Sequence, residues 1–331
     1  MNPQLRNGLF VGAFLAFATS FGIAEEKQGD GTLAIFGSTL IDATVIIQGM
    51  KVQAVGPLNK VIIPERAKKI DVTGKYILPG LIDLHIHTTF PYSELQYHTD
   101  SLSLKTIRAM HIMELMLKTG VTSVRDVGAP VEPIQALLRA QELGYLDTIR
   151  LFICGRLTTT TGGHGDGVPG NLAVDGPWEF RKAGREMFKV GFHYIKTSPT
   201  YTLEEAKAAV DEANTLGLKI TSHGDGLTDK TTTSMTRIAV EAGVPCIEHF
   251  NVMDDDVLDL IARKDVFIVP TMATYRELYK ANEINPYLIQ KRRWTLSMQE
   301  TLLKKPGKER SSWESAPTSS NITWSSTRGS T

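Results

Sequence analysis

Five side chains able to bind a metal stand at the ends of apolar runs in this 331-residue chain. His85 and His87 close the stretch Leu78-Pro79-Gly80-Leu81-Ile82-Asp83-Leu84-His85-Ile86-His87. Alternate side chains of a strand share a face, so the two imidazoles project together while Ile86 packs the other way. Two adjacent imidazoles are costly to bury without a partner. A divalent cation is the natural one, since neutral imidazole is its commonest ligand. Lys196, His223 and His249 each end a further apolar run, 192–196, 218–223 and 244–249. Lysine belongs in such a set because burial shifts its pKa readily and makes its amine available for chemistry.

These residues need a frame that brings strand ends together. From Gly80 onward strand-like and helix-like patterns alternate, the signature of a parallel sheet with crossover helices. Strands are expected at 80–87, 120–127, 149–155, 192–196, 218–223, 244–249 and 266–270, with helices at 104–117, 133–141 and 178–190. A long polar loop, 158–176, interrupts the rhythm. The fold class expected is α/β, a (β/α)₈ TIM-type barrel over 78–304 that is incomplete at strand eight. In that architecture functional groups sit at the C-terminal ends of strands, where these five fall. Ahead of it, 31–77 reads as a small β-domain with strands at 33–36, 43–47 and 52–57 and turns at Gln48-Gly49 and Gly56-Pro57.

The Pro-Gly-Leu-Ile-Asp strand ending in His-Ile-His, followed in order by Lys196, His223 and His249, resembles the amidohydrolase superfamily. The Thr161-Gly162-Gly163-His164-Gly165-Asp166-Gly167 loop narrows the likeness to its prolidase-like branch, which includes ochratoxinase and is related to imidazolonepropionase. The resemblance implies a binuclear centre of two divalent ions, zinc the expected metal. His85 and His87 would bind one ion and His223 and His249 the other, bridged by Lys196 carboxylated by CO₂. It implies hydrolysis of a C–N bond in a small amide or dipeptide-like substrate, with His164 facing that substrate. Arg125, ending the second strand, could grip a substrate carboxylate bidentately or pair with an acid inside the barrel. His193 is three residues before Lys196 and faces away from the site. His98 and His111 show no partner pattern, and 254–256 (three aspartates) reads as a helix cap.

Composition sets further bounds. Thirty-six basic against 36 acidic residues argue against a nucleic-acid partner, which would draw a basic excess. Cys154 and Cys246 lie in apolar runs and read as buried free thiols. Residues 1–24 read as a signal peptide, with Arg6 ahead of an uncharged run and Gly22-Ile23-Ala24 at a cleavage site, so export to the periplasm or exterior is expected. An uncleaved membrane anchor is the alternative, and homo-oligomeric assembly stays open.

The sequence departs from the family at two places. Leu40-Ile41-Asp42 runs almost directly into the next strand, where relatives carry a Gly-rich turn. The family's strand-eight aspartate, usually in Gly-Thr-Asp or Gly-Ser-Asp, has no counterpart. Residues 305–331 include 12 Ser or Thr among the last 21, too polar for a buried strand, and read as a disordered tail. A reading-frame shift near Pro306 is one explanation, since the earlier frame permits Gly-Ala-Asp-Phe-Ile-Glu-His-His. The other is a catalytically inactive, truncated family member.

Overall fold

The computed structural model describes residues 32–38, 43–90, 94–198, 202–224, 229–249 and 254–271. The expected signal peptide, the shortened turn at 39–42, the strand-eight region and the tail therefore lie outside the described residues. Among the described residues no helix is long and apolar enough to cross a membrane.

Two compact units divide between Leu81 and Ile82, with 117–122 belonging to the first. The first holds a four-stranded sheet of β1 (Thr32–Ser38), β2 (Ala43–Gln48), β3 (Lys51–Gly56) and β4 (Lys68–Asp71), ordered β3-β2-β1-β4. β1 runs antiparallel to β2 and parallel to β4. Ala34, Ile46 and Ala67 form its small core. Strict alternation along β3, exposed at Lys51, Gln53 and Val55, is the mark of a sheet with one covered face.

The second unit is the strand–helix repeat. Its elements are β5 (Leu81–Ile86), α1 (Glu94–Thr99), α2 (Leu102–Lys118), β6 (Val121–Asp126), α3 (Val131–Glu142), β7 (Arg150–Ile153), β8 (Thr158–Thr159), β9 (Leu172–Ala173), α4 (Pro177–Lys189) and β10 (Tyr194–Thr197). Then come α5 (Leu203–Leu216), β11 (Lys219–His223), α6 (Asp229–Ala242), β12 (Cys246–Glu248), α7 (Asp255–Arg263) and β13 (Phe267–Val269). β5-β6-β7 form one sheet and β13-β12-β11-β10-β8-β9 another. A bond from His193 N to Ile153 O, 3.0 Å, ties the end of β7 to the start of β10. All seven strands expected from the sequence are present, in the parallel, TIM-type arrangement.

Local signals explain why the chain breaks where it does. α5 opens with a reciprocal capping box, Thr202 with Glu205, and closes on Gly217 in the left-handed region. α4 begins with Pro177 in its first turn, where a missing N–H costs nothing. Asp254 stands at the N-cap of α7, but its side chain makes no capping bond; Asp256 instead pairs with Arg237 of α6. The aspartate run thus stands at the helix N-terminus as expected, with Asp255 and Asp256 in the first turn, where negative charge is favourable. The apolar faces of α4 to α7 close over β10 to β13 through Phe180, Ala213, Val240, Ile247, Val257 and Ile268. Burying each such aliphatic or aromatic side chain contributes about 1.5–3 kcal/mol. That core holds the strands whose ends carry Lys196, His223 and His249.

The loop at 158–176 is more structured than its polarity suggests. β8 pairs with β10 at Thr158–Thr197, and β9 pairs with β8. Cys154 and Cys246 are buried free thiols, as expected.

Candidate metal centre

β5 delivers His85 from within the strand and His87 just past its end. Each ring is held by its Nδ1. His85 Nδ1 bonds the Glu248 carboxylate at 2.7 Å, and His87 Nδ1 donates to Gly128 O at 2.9 Å. A carbonyl only accepts, so His87 carries its proton on Nδ1 and its lone pair on Nε2. Gly128 is needed here because an added Cβ would sit 3.1 Å from His87 Cε1. Asp126 builds the same turn: Oδ2 accepts from Thr88 N at 2.9 Å, and Oδ1 from Gly128 N at 3.1 Å. Burial raises the Asp126 carboxyl to about 6, with the bonds from Thr88 and Gly128 opposing.

Glu248, fully buried at the end of β12, is the charged centre of the interior. Besides His85 it accepts from Arg125 Nη2 and from Thr221 Oγ1, gathering β5, β6, β11 and β12 onto one carboxylate. Burial pushes its carboxyl up, but Arg125, Lys196 and His85 together hold it well below the usual range. Arg125 also donates from Nε to Leu84 O at 2.7 Å. Of the two readings open for Arg125 in the sequence, pairing with an interior acid is the contact this geometry contains.

Lys196 lies beside this pair, 2% exposed, and its Nζ has no hydrogen-bond partner among the described residues. Burial lowers its pKa to about 8, the attraction of Glu248 working the other way. At pH 7 an amine at that value is still mostly ammonium, but about a tenth is neutral, the form that can attack CO₂, against a negligible share for an ordinary lysine.

His223 ends β11. His249 follows β12 with a φ of 66°, a left-handed conformation rare for a residue with a side chain. Its Nδ1 bonds Thr271 Oγ1 at 2.5 Å. The rings run across the strand ends in sequence: His87 to His85 at 5.3 Å between centroids, His85 to His249 at 4.5 Å, and His249 to His223 at 4.2 Å. Burial holds all four below the ordinary imidazole value, His87 at about 3, so they are neutral at pH 7.

His164 joins this row from the loop. Its ring stacks on His223 at 4.0 Å and 22°, with its outer side exposed. The loop is tied down on both flanks. Arg156 donates to Gly170 O and Asn171 O, and Asn171 Nδ2 donates to Gly165 O at 2.8 Å. Gly165 takes φ 83°, with no room for a Cβ beside Asn171. His193 stands apart, its Nδ1 accepting from Ile153 N at 3.2 Å, a structural use.

The residues present suit a divalent cation. Neutral imidazoles whose Nδ1 is bonded to a carboxylate, carbonyl or hydroxyl are the usual metal-ligand arrangement, with Nε2 the nitrogen offered. His85, His87 and His249 have it. A buried amine without an acceptor suits conversion to an anionic carbamate beside cations. Among the described residues no three His, Cys, Asp or Glu side chains stand in ready metal-holding geometry, the rings being packed on one another. The sequence after 271, in which no strand-eight aspartate is found, lies outside the described residues.

Reading the sequence alone misses Glu248 and Asp126. An acid inside an apolar run that forms a buried strand is the signal that would have found Glu248, since glutamate is almost never buried unpaired.

Comparison with known proteins gives a consistent picture. The model of the amidohydrolase family matches residues 76–303. An uncharacterised protein of Mycobacterium tuberculosis is 24% identical over 219 residues, 60% of this chain and 51% of its own length. The imidazolonepropionase of Kosmotoga olearia is 23% identical over 241 residues, 61% of this chain and 56% of that protein. The chain thus spans about half the length of the curated relatives it matches. Among solved structures, a prolidase complexed with N-methylphosphonate-L-proline superposes with a TM-score of 0.72 at 27% identity, covering 88% of this chain and 77% of that one. Aspergillus niger ochratoxinase, at 18% identity and a TM-score of 0.71 over 90% of this chain and 76% of its own, shares the fold.

Proposed function

The chain belongs to the amidohydrolase family, and on that premise we propose that it is a metal-dependent hydrolase of a C–N bond in a small amide or dipeptide-like substrate. The observation that carries the reading is the convergence of four neutral imidazoles and the buried Lys196, which has no acceptor among the described residues, at neighbouring strand ends. The substrate class is supported by the relatives: a prolidase binding a proline phosphonate and an imidazolonepropionase.

In this proposal His85 and His87 hold one divalent ion and His223 and His249 a second. Lys196 would contribute an anionic ligand once its neutral amine adds to CO₂, forming an N–C bond and releasing one proton. Two such ions, zinc expected, supply Lewis acidity toward a carbonyl and acidify a water near neutral pH. The protein's own groups do the rest. His164 presents its exposed edge to the substrate from the tied loop. Arg125 and Glu248 stay paired and hold His85 through its Nδ1.

The rival reading is a chain that binds metal without turnover, supported by the polar sequence after 304, where no Gly-x-Asp occurs. The test is to load the full chain with zinc and bicarbonate, count ions per chain, and assay Xaa-Pro dipeptides and N-acyl amino acids. About two ions per chain with release of free amino acid is the expected result. Bound metal with no turnover of any of them would leave the rival standing. An absence of metal uptake would end both readings.

A further inference from the structure

The Glu248 carboxylate is buried, joins four strands and takes no place in the ligand set above. Its two oxygens are divided between separate tasks. Oε1 receives Arg125 and Thr221, and Oε2 receives His85 Nδ1 at 2.7 Å. Arg125 is permanently charged and buried, and Glu248 is the acid paired with it, so the carboxylate is ionised, and an ionised carboxylate only accepts. His85 must then carry its proton on Nδ1. The backbone N–H of His85 is bonded separately, to Asp83 Oδ1 at 3.0 Å.

We infer that Glu248 is a positioning residue that fixes the tautomer and orientation of His85 through their direct bond. This rests on His85 being a metal ligand, as proposed above. The alternative is that Glu248 serves only to neutralise a buried Arg125. The two differ in what substitution does. Glu248→Gln keeps the volume but must turn its amide either way. If the NH₂ faces His85, two donors meet and the imidazole moves its proton to Nε2, removing the lone pair a metal needs. If it faces Arg125, two donors meet there and His85 keeps its proton on Nδ1 only at the expense of that contact. Arg125→Met leaves the carboxylate on His85.

The experiment uses the full chain with ¹⁵N-labelled histidine. The metal-stripped wild type is expected to show His85 protonated on Nδ1. Finding the proton on Nε2 would overturn the inference with no variant needed. Zinc affinity is then measured by chelator competition on wild type, Glu248→Gln and Arg125→Met. A tenfold to hundredfold loss in Glu248→Gln, the usual range for such outer partners, with a loss under about threefold in Arg125→Met supports it. Equal losses in both variants, or none in Glu248→Gln, assign Glu248 a charge-pairing role instead. A wild type that takes up no zinc refutes the proposed function, while the ¹⁵N result still decides the tautomer.

Discussion

Replacing His164 by asparagine probes the link between the loop and the reaction. The residue stacks on His223 but is itself exposed, unlike the buried His85, His223 and His249. His164→Asn is therefore expected to lower kcat/KM by about tenfold to hundredfold while zinc per chain stays the same. Steady-state kinetics paired with metal analysis reads both, and a parallel loss of metal would place His164 among the ligands. Acid sensitivity belongs to the same scale. His87 is held at about 3 against an ordinary 6.5, so between those values the unfolded chain binds a proton the folded chain refuses. Stability from this ring is complete above about pH 6.5 and falls as the pH drops, by about 1 kcal/mol per pH unit for each such group. Asp126 acts oppositely: raised to about 6, it favours the fold as the pH falls from about 6 toward 4. The four histidines outnumber it. The urea midpoint of the metal-stripped chain should be lower at pH 5 than at pH 7, and an unchanged or higher midpoint would contradict these burials. Much of this residue-level picture is legible in the sequence, because His85, Lys196, His223 and His249 each terminate an apolar run at polar punctuation. Glu248 is not, because alternation sends it away from its neighbour His249. The φ of 66° at His249 breaks that alternation and lets both side chains serve the interior.

Elements were readable where a strong local signal agreed with the tertiary contact. β5, β6 and β11 fall within a residue or two of their expected bounds, since a glycine or proline precedes each and an apolar core receives it. The loop after β7 was legible only as polar. β8 and β9 are two residues each, too short for any period to show, and they exist because β10 offers a neighbouring edge at Thr197. At α7 three aspartates stand at the helix start as expected, yet the N-cap Asp254 makes no side-chain capping bond. The capping box of α5 is the opposite case, with both reciprocal bonds present. Thr202→Ala should cost about 1 kcal/mol of stability, read as a lower urea midpoint with an unchanged slope. Because α5 lies between β10 and β11, which carry Lys196 and His223, a loss of zinc affinity larger than that of stability would show that the helix also tunes the site.

At the scale of the whole molecule, the interior of the second unit concentrates neutral imidazoles, one amine and one ion pair where an ordinary barrel places aliphatic layers. On the proposed function, such an interior would be held together partly by the metal it binds. Metal bound at a thousand times its dissociation constant adds about 4 kcal/mol to stability. Treating the loaded chain with a chelator should therefore lower its Tm by several degrees, and zinc should restore it. A Tm indifferent to both would mean that no metal is bound by the folded form.

The bond between His85 and Glu248 has a kinetic consequence. It joins residues 163 positions apart, so a nascent or refolding chain can orient the first histidine only after β12 has been made and seated. Contacts of such separation form late, because the chain entropy of closing the loop must be met before the contact gives any return. Metal capture should follow barrel assembly in time rather than nucleate it, and zinc present during refolding should slow unfolding without accelerating the folding phase.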